Sequence, residues 1–182
     1  MFDIFKRKKE KMPTDKEVSK FIDVFNQLWS TNIKDIWAIE DINSFVIAMI
    51  GWVSKKCNYG KNIVVLTPKE KVVYVVATFQ SEVNNGGFAQ FLYNCGGFTD
   101  DLLPSLNCIG AVEIAEIYIK ALENVPCQLP MDDKKRDALL DGLITERISQ
   151  IFDDCDQQFY NCSDKLENLL YNFIINNKES FV

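Results

Sequence analysis

The sequence predicts an all-α protein, with a single compact bundle-like domain of about seven to nine helices and little or no strand. Three observations predict it. Apolar residues recur at three- and four-residue steps in segment after segment, the spacing of one helix face. Two capping boxes, Thr14-Asp15-Lys16-Glu17 and Thr67-Pro68-Lys69-Glu70, mark helix starts. In each, a threonine hydroxyl takes a free backbone N–H while the glutamate three residues on reaches back. Connections are short and punctuated by Gly, Asn and Pro, so neighbouring helices pack into one domain over residues 13–182.

The first dozen residues form a basic, lysine-rich tail (1–12). Val18, Phe21, Ile22, Phe25, Leu28 and Trp29 then stripe an amphipathic helix over about 15–29. Ile33, Ile36 and Trp37 anchor a short irregular piece. Asn43 is expected to cap a central helix from Ser44 to Cys57, apolar on most sides through Phe45, Ile47, Ala48, Ile50 and Trp52. Asn58-Tyr59-Gly60 ends it. The run Val72 to Phe79 is β-branched and would pass for a buried strand. The capping box before it, with Pro68 at the first helical position, favours helix. Asn84-Asn85-Gly86-Gly87 then closes that helix, and Phe88 to Asn94 forms a short one with Phe88, Phe91 and Leu92 on one face.

Thr99 is expected to cap the next helix, with Asp100 and Asp101 at its positive end and Pro104 in its first turn. Gly110 breaks it, and Val112 to about Asn124 makes another. Residues 125–130 read as an extended linker. A single helix from about 133 to 153 is expected after Asp132, followed by a short turn capped by Asp156. A final helix is expected after a Ser163 cap, with Leu166, Leu169, Leu170, Phe173 and Ile174 inward.

At 182 residues the chain is long enough for one domain with a real core. No apolar run approaches the roughly 18 residues of a membrane span. The start carries no secretory signal, so the protein is expected to be cytoplasmic and its six cysteines reduced and mostly buried. Histidine is absent, which removes the usual general base and the commonest metal ligand. The net charge of −6 is uneven: residues 99–182 hold sixteen acidic against seven basic side chains. Phosphates are repelled by such a half, which disfavours direct nucleic-acid binding and favours a protein partner with a basic surface.

Gly86-Gly87 and Gly96-Gly97 fit no phosphate-binding loop and read as helix terminators. Asp153, Asp154 and Asp156 lack the glycine and closing glutamate of a calcium loop, so neither a metal nor a cofactor is expected. Asp133, Asp137 and Asp141 are more informative. They repeat every fourth residue and form one stripe, each about 6 Å further along a helix axis. That step is close to the phosphate spacing along the winding backbone of a nucleic-acid strand. Glu113, Glu116 and Glu123 give a second, looser acidic face, and Asp100 and Asp101 a third acidic pair.

The stretch Glu82-Val83-Asn84-Asn85-Gly86-Gly87-Phe88-Ala89-Gln90-Phe91-Leu92-Tyr93-Asn94 resembles the signature of the DNA-mimic-protein family. Ile109-Gly110-Ala111 stands where that family has a helix junction. Asp153 to Tyr160 and Leu169-Leu170-Tyr171-Asn172-Phe173-Ile174 are similar to its ending, so the likeness covers about residues 65–178. The resemblance implies an all-α fold and a non-enzymatic bacterial protein that occupies the DNA-binding face of a partner such as a transcription regulator. A homodimer is compatible with it.

The residues therefore support three readings. In the first, the acidic helices bind a basic protein surface. In the second, Glu82, Asn84, Gln90 and Asn94 line a polar pocket for a small ligand or an enzymatic reaction. In the third, the acidic face serves an immunity- or inhibitor-like protein. The residues at the corner, Asn85, Gly86 and Gly87 included, are read chiefly as structural: amides hydrogen-bonding across it would fix its geometry.

Overall fold

A computed structural model of the chain describes Thr14 and residues 30–182, apart from residues 124, 127, 128, 131 and 163. The expected tail and the helix over 15–29 lie outside the described residues, as do the Ser163 cap and Cys127. Among the described residues there is no strand. Within the described residues eight α-helices follow one another: α1 (Ile33–Trp37), α2 (Ile42–Lys56), α3 (Pro68–Cys95), α4 (Thr99–Ile109), α5 (Val112–Leu122), α6 (Asp133–Leu143), α7 (Glu146–Asn161) and α8 (Leu166–Asn176).

The β-branched run is helix. Thr67 accepts from the Glu70 N–H at 3.2 Å, and Glu70 accepts from the Thr67 N–H at 2.8 Å. Glu70 is fully buried, and Lys56 neutralises it at 2.7 Å. With its start secured, α3 buries Val72, Val73, Val75, Val76 and Phe79 and becomes the central helix, packed by α2, α4, α6, α7 and α8. Tertiary burial overrides the weak helix propensity of valine.

The core centres on Phe79. Its ring meets Phe88 at 5.6 Å, Phe91 at 5.1 Å, Tyr118 at 6.0 Å and Phe159 at 5.6 Å, mostly edge to face. Such pairs add about 0.5–1.5 kcal/mol each beyond the area they bury. In a straight helix residues 79 and 91 would stand about 18 Å apart. The chain is therefore turned back on itself between them, at Gly86 and Gly87, where the dihedrals leave the helical region.

Some expected elements, caps and boundaries differ. The piece anchored by Ile33, Ile36 and Trp37, expected to be irregular, is the helix α1, which Asn32 caps by accepting from the Lys34 N–H at 3.1 Å. Asp41, not Asn43, caps α2, accepting from the Ser44 N–H at 2.8 Å. The helix therefore starts at Ile42. Ile47, expected among the residues that make it apolar on most sides, faces outward and is 59% exposed. Thr99 lies inside α4 and is not its cap; its hydroxyl donates to the Gly96 carbonyl at 2.9 Å. Pro104 sits a turn deeper than expected, where its missing N–H cannot serve the Asp100 carbonyl. The helix expected over 133–153 is two helices. Thr145 starts α7 by accepting from the Ile148 N–H, and the chain departs from helix at Ile144.

Candidate functional site

Gly87 has φ 75° and ψ −173°, a region open in practice to glycine alone. A Cβ there would coincide with the carboxylate of Asp156, which comes from α7. That carboxylate accepts the Phe88 N–H at 2.8 Å. Asp156 was expected to cap a local turn. It instead caps the resumed helix from 68 residues away in sequence, supplying a partner to an orphan donor. Burial raises its pKa, the Phe88 hydrogen bond opposes this, and the charge of Asp153 adds to it.

Glu82 closes the corner from the other side. Its Oε2 accepts from Gln90 Nε2 and from Asn94 Nδ2, each at 2.8 Å. Residues 82 and 94 would lie about 18 Å apart on a straight helix, so this clasp exists only because the chain turns. A side chain at Gly86 would collide with Gln90. Asn84 and Asn85 are exposed and stand outside the clasp. Asn84 instead edges a small polar cavity with Gln80, Tyr160 and Asp164. Tyr160 ties α7 to the same corner, donating to the Val83 carbonyl at 2.7 Å.

The end of α3 holds α6. Arg136 is 3% exposed, although it lies in the run Lys134-Lys135-Arg136-Asp137 that reads as solvated surface. Its guanidinium donates to the Tyr93 carbonyl at 2.8 Å, the Pro130 carbonyl at 3.0 Å and Asp133 at 2.7 Å. A cation on the last carbonyls of a helix also meets the negative end of its dipole. Gly96 leaves room for it, because a Cβ there would press on Arg136 and Leu129. Sequence reasoning missed Arg136 and Asp156, since both act on residues distant in the chain.

Asp133, Asp137 and Asp141 are all exposed on α6. Two of them also have internal partners: Asp133 has Arg136, and Asp141 accepts the Tyr93 hydroxyl at 2.8 Å. The Asp141 hydrogen bond, with smaller contributions from burial and from Asp137, pushes the Tyr93 phenol up to about 12. The stripe is thus a set of charges held at both ends against α3.

The remaining expected carboxylates lie elsewhere. Glu113 and Glu116 are exposed on α5 and Glu123 at its C-terminal cap; α5 packs on α4 and α7, whereas α6 packs on α3. Asp101 pairs with Lys71 at 2.7 Å, and Asp100 is exposed. A half-exposed pair of that kind contributes at most about 1 kcal/mol. Asp164 accepts the Ile114 N–H at 3.1 Å and so serves the start of α5, a second carboxylate cap from a distant element. Cys57, Cys155 and Cys162 are buried free thiols, while Cys95 is half-buried and Cys108 exposed. No helix of the described residues is long and apolar enough to cross a membrane.

An all-α domain turned at a glycine corner and carrying carboxylates on its outer helices defines a class, an acidic helical protein. The model of the DMP19-like protein family matches residues 65–177, from the start of α3 through α8. That is more than half of the 182 residues, and the chain belongs to this family. No curated protein and no solved structure matches it significantly.

Proposed function

We propose that this protein is a non-enzymatic, cytoplasmic binding protein that occupies the nucleic-acid-binding surface of a protein partner, as a DNA mimic does. The observation that carries the proposal is the stripe on α6: Asp133, Asp137 and Asp141 are exposed at four-residue steps, and Arg136 and Tyr93 hold it against α3. Fixed charges suit this role, because a partner then meets a negative array that needs no reordering on binding. The C-terminal half carries sixteen of the 26 acidic side chains, which steers a basic partner towards it and nucleic acid away. Membership of the DMP19-like family supports the same reading. A transcription regulator is the partner class in view.

The test is capture of partners from native cytoplasm by the immobilised protein at low and at high salt, followed by challenge with duplex DNA. The proposal expects retention at low salt, with binding weakened roughly tenfold or more at high salt, where screening shortens the reach of surface charge. It also expects release of the partner by DNA. A partner held equally well at both salt concentrations and in the presence of excess DNA contradicts it.

A further inference from the structure

The outer side of α5 differs from the stripe on α6 in combining charge with exposed aliphatic surface. Val112 and Ile119 are 62% and 50% exposed. They are one heptad apart, so about 10 Å along the same side of the helix. Glu116 and Glu123 share that side, since 112, 116, 119 and 123 follow the four- and three-residue steps of one face. Beside this ridge runs a groove of about 420 Å³ between α5 and α7, lined by Glu113, Glu116, Ile117, Lys120, Gln158 and Asn161. Exposed carboxylates continue along the two helices: Glu123 caps the end of α5, and Asp154 of α7 stands one turn before the groove-lining Gln158.

Two β-branched aliphatic residues at heptad spacing, next to a groove, make the kind of seam that receives an amphipathic helix through anchors a turn or two apart. The charge around the seam selects the occupant. A second copy of α5 would set Glu116 and Glu123 against their own equivalents, and a nucleic acid would meet carboxylates. A helix carrying Lys and Arg beside its apolar anchors meets neither obstacle: in the groove lining Lys120 alone shares its sign, against Glu113 and Glu116.

We propose that the ridge and groove of α5 and α7 dock one basic amphipathic helix of the partner protein. Its aliphatic residues seat on Val112 and Ile119, and its Lys and Arg residues face Glu116, Glu123 and Asp154. This rests on the partner-binding reading above and deepens it: the basic surface that the protein covers includes a helix.

The probe is a synthetic peptide of about five turns with leucines at heptad spacing and lysines flanking them. A peptide of the same composition in scrambled order is the control. Amide resonances of the isotope-labelled full chain are followed during titration. The proposal expects shifts confined to residues 112–123 and 154–161, with binding at least about tenfold tighter than for the scrambled control. It also expects a loss of about tenfold on Ile119→Lys, a surface change that leaves the core intact. Equal binding of the scrambled peptide overturns the proposal, as do shifts centred on α6. A dimer of the free chain that Ile119→Lys dissolves would identify a second copy as the occupant and overturn it too. With a partner captured as described above, Ile119→Lys and Asp137→Lys separate the two claims. Loss of capture with Asp137→Lys alone removes the groove and leaves the partner reading standing. Indifference to both removes both.

Discussion

The Asp156 carboxylate occupies the space that a Cβ on Gly87 would need, and that carboxylate caps Phe88, the residue after the glycine. The corner and the helix α7 are therefore one unit. Gly87→Ala strains a positive-φ position and displaces the cap together. It is expected to cost about 2–3 kcal/mol, read as a lower midpoint in urea denaturation. A variant as stable as the parent would show that the corner relaxes without penalty.

Asp156 gives a pH-dependent prediction. Its pKa is raised above the ordinary 3.8, chiefly by burial, so the folded chain holds that proton more tightly than the unfolded chain does. The ionised group accordingly subtracts stability at neutral pH, and this penalty is relieved as the pH falls through the raised value towards 3.8. Asp156→Asn keeps an oxygen for the Phe88 N–H and removes the charge. It is expected to match or exceed the parent at neutral pH, with the difference closing in acid. Asp156→Ala loses the cap and is expected to cost about 1 kcal/mol. Denaturation curves across pH for the three proteins decide the matter.

Arg136 is expected to be the most sensitive position of α6. Arg136→Met leaves the Tyr93 and Pro130 carbonyls without their donor and should cost about 3 kcal/mol or more. Arg136→Lys should restore only part of that, because an ammonium cannot reproduce the planar fork. Full rescue by lysine, measured by thermal unfolding, would show that charge alone suffices.

The contact between Tyr93 and Asp141 is readable by spectroscopy. The Asp141 carboxylate is the main reason that the Tyr93 phenol titrates at about 12 rather than 10. In Asp141→Asn the negative charge is gone, so one of the six tyrosines should form its phenolate closer to pH 10. An alkaline absorbance titration identical in parent and variant would contradict the geometry at this end of the stripe.

What the sequence made legible was local chemistry. The Thr67 to Glu70 capping box identified Val72 to Phe79 as helix against its strand propensity, because both partners of the box lie within one turn. Glycines marked the corner for the same reason. The missed features are long-range or hidden by a continuous pattern. Leu140, Leu143, Ile144 and Ile148 keep helical spacing across the break, so only the Thr145 cap shows that α6 ends and α7 begins. Arg136 reads as one more charge in a basic run until the Tyr93 carbonyl is placed beside it. Asp156 and Asp164 serve helix starts 68 and 50 residues away, and no local rule points to either. The acidic residues were visible individually, but their division between α6 and α5 depends on how those helices pack.

The central claim is that partner and DNA compete for the same surface. The most direct measurement is sedimentation of a captured partner mixed with this protein and a labelled duplex it binds. The account predicts two separate complexes, partner with protein and partner with DNA, whose proportions shift with the ratio of the competitors. It also predicts that Asp137→Lys shifts them towards DNA. A single complex containing protein, partner and duplex together would contradict it.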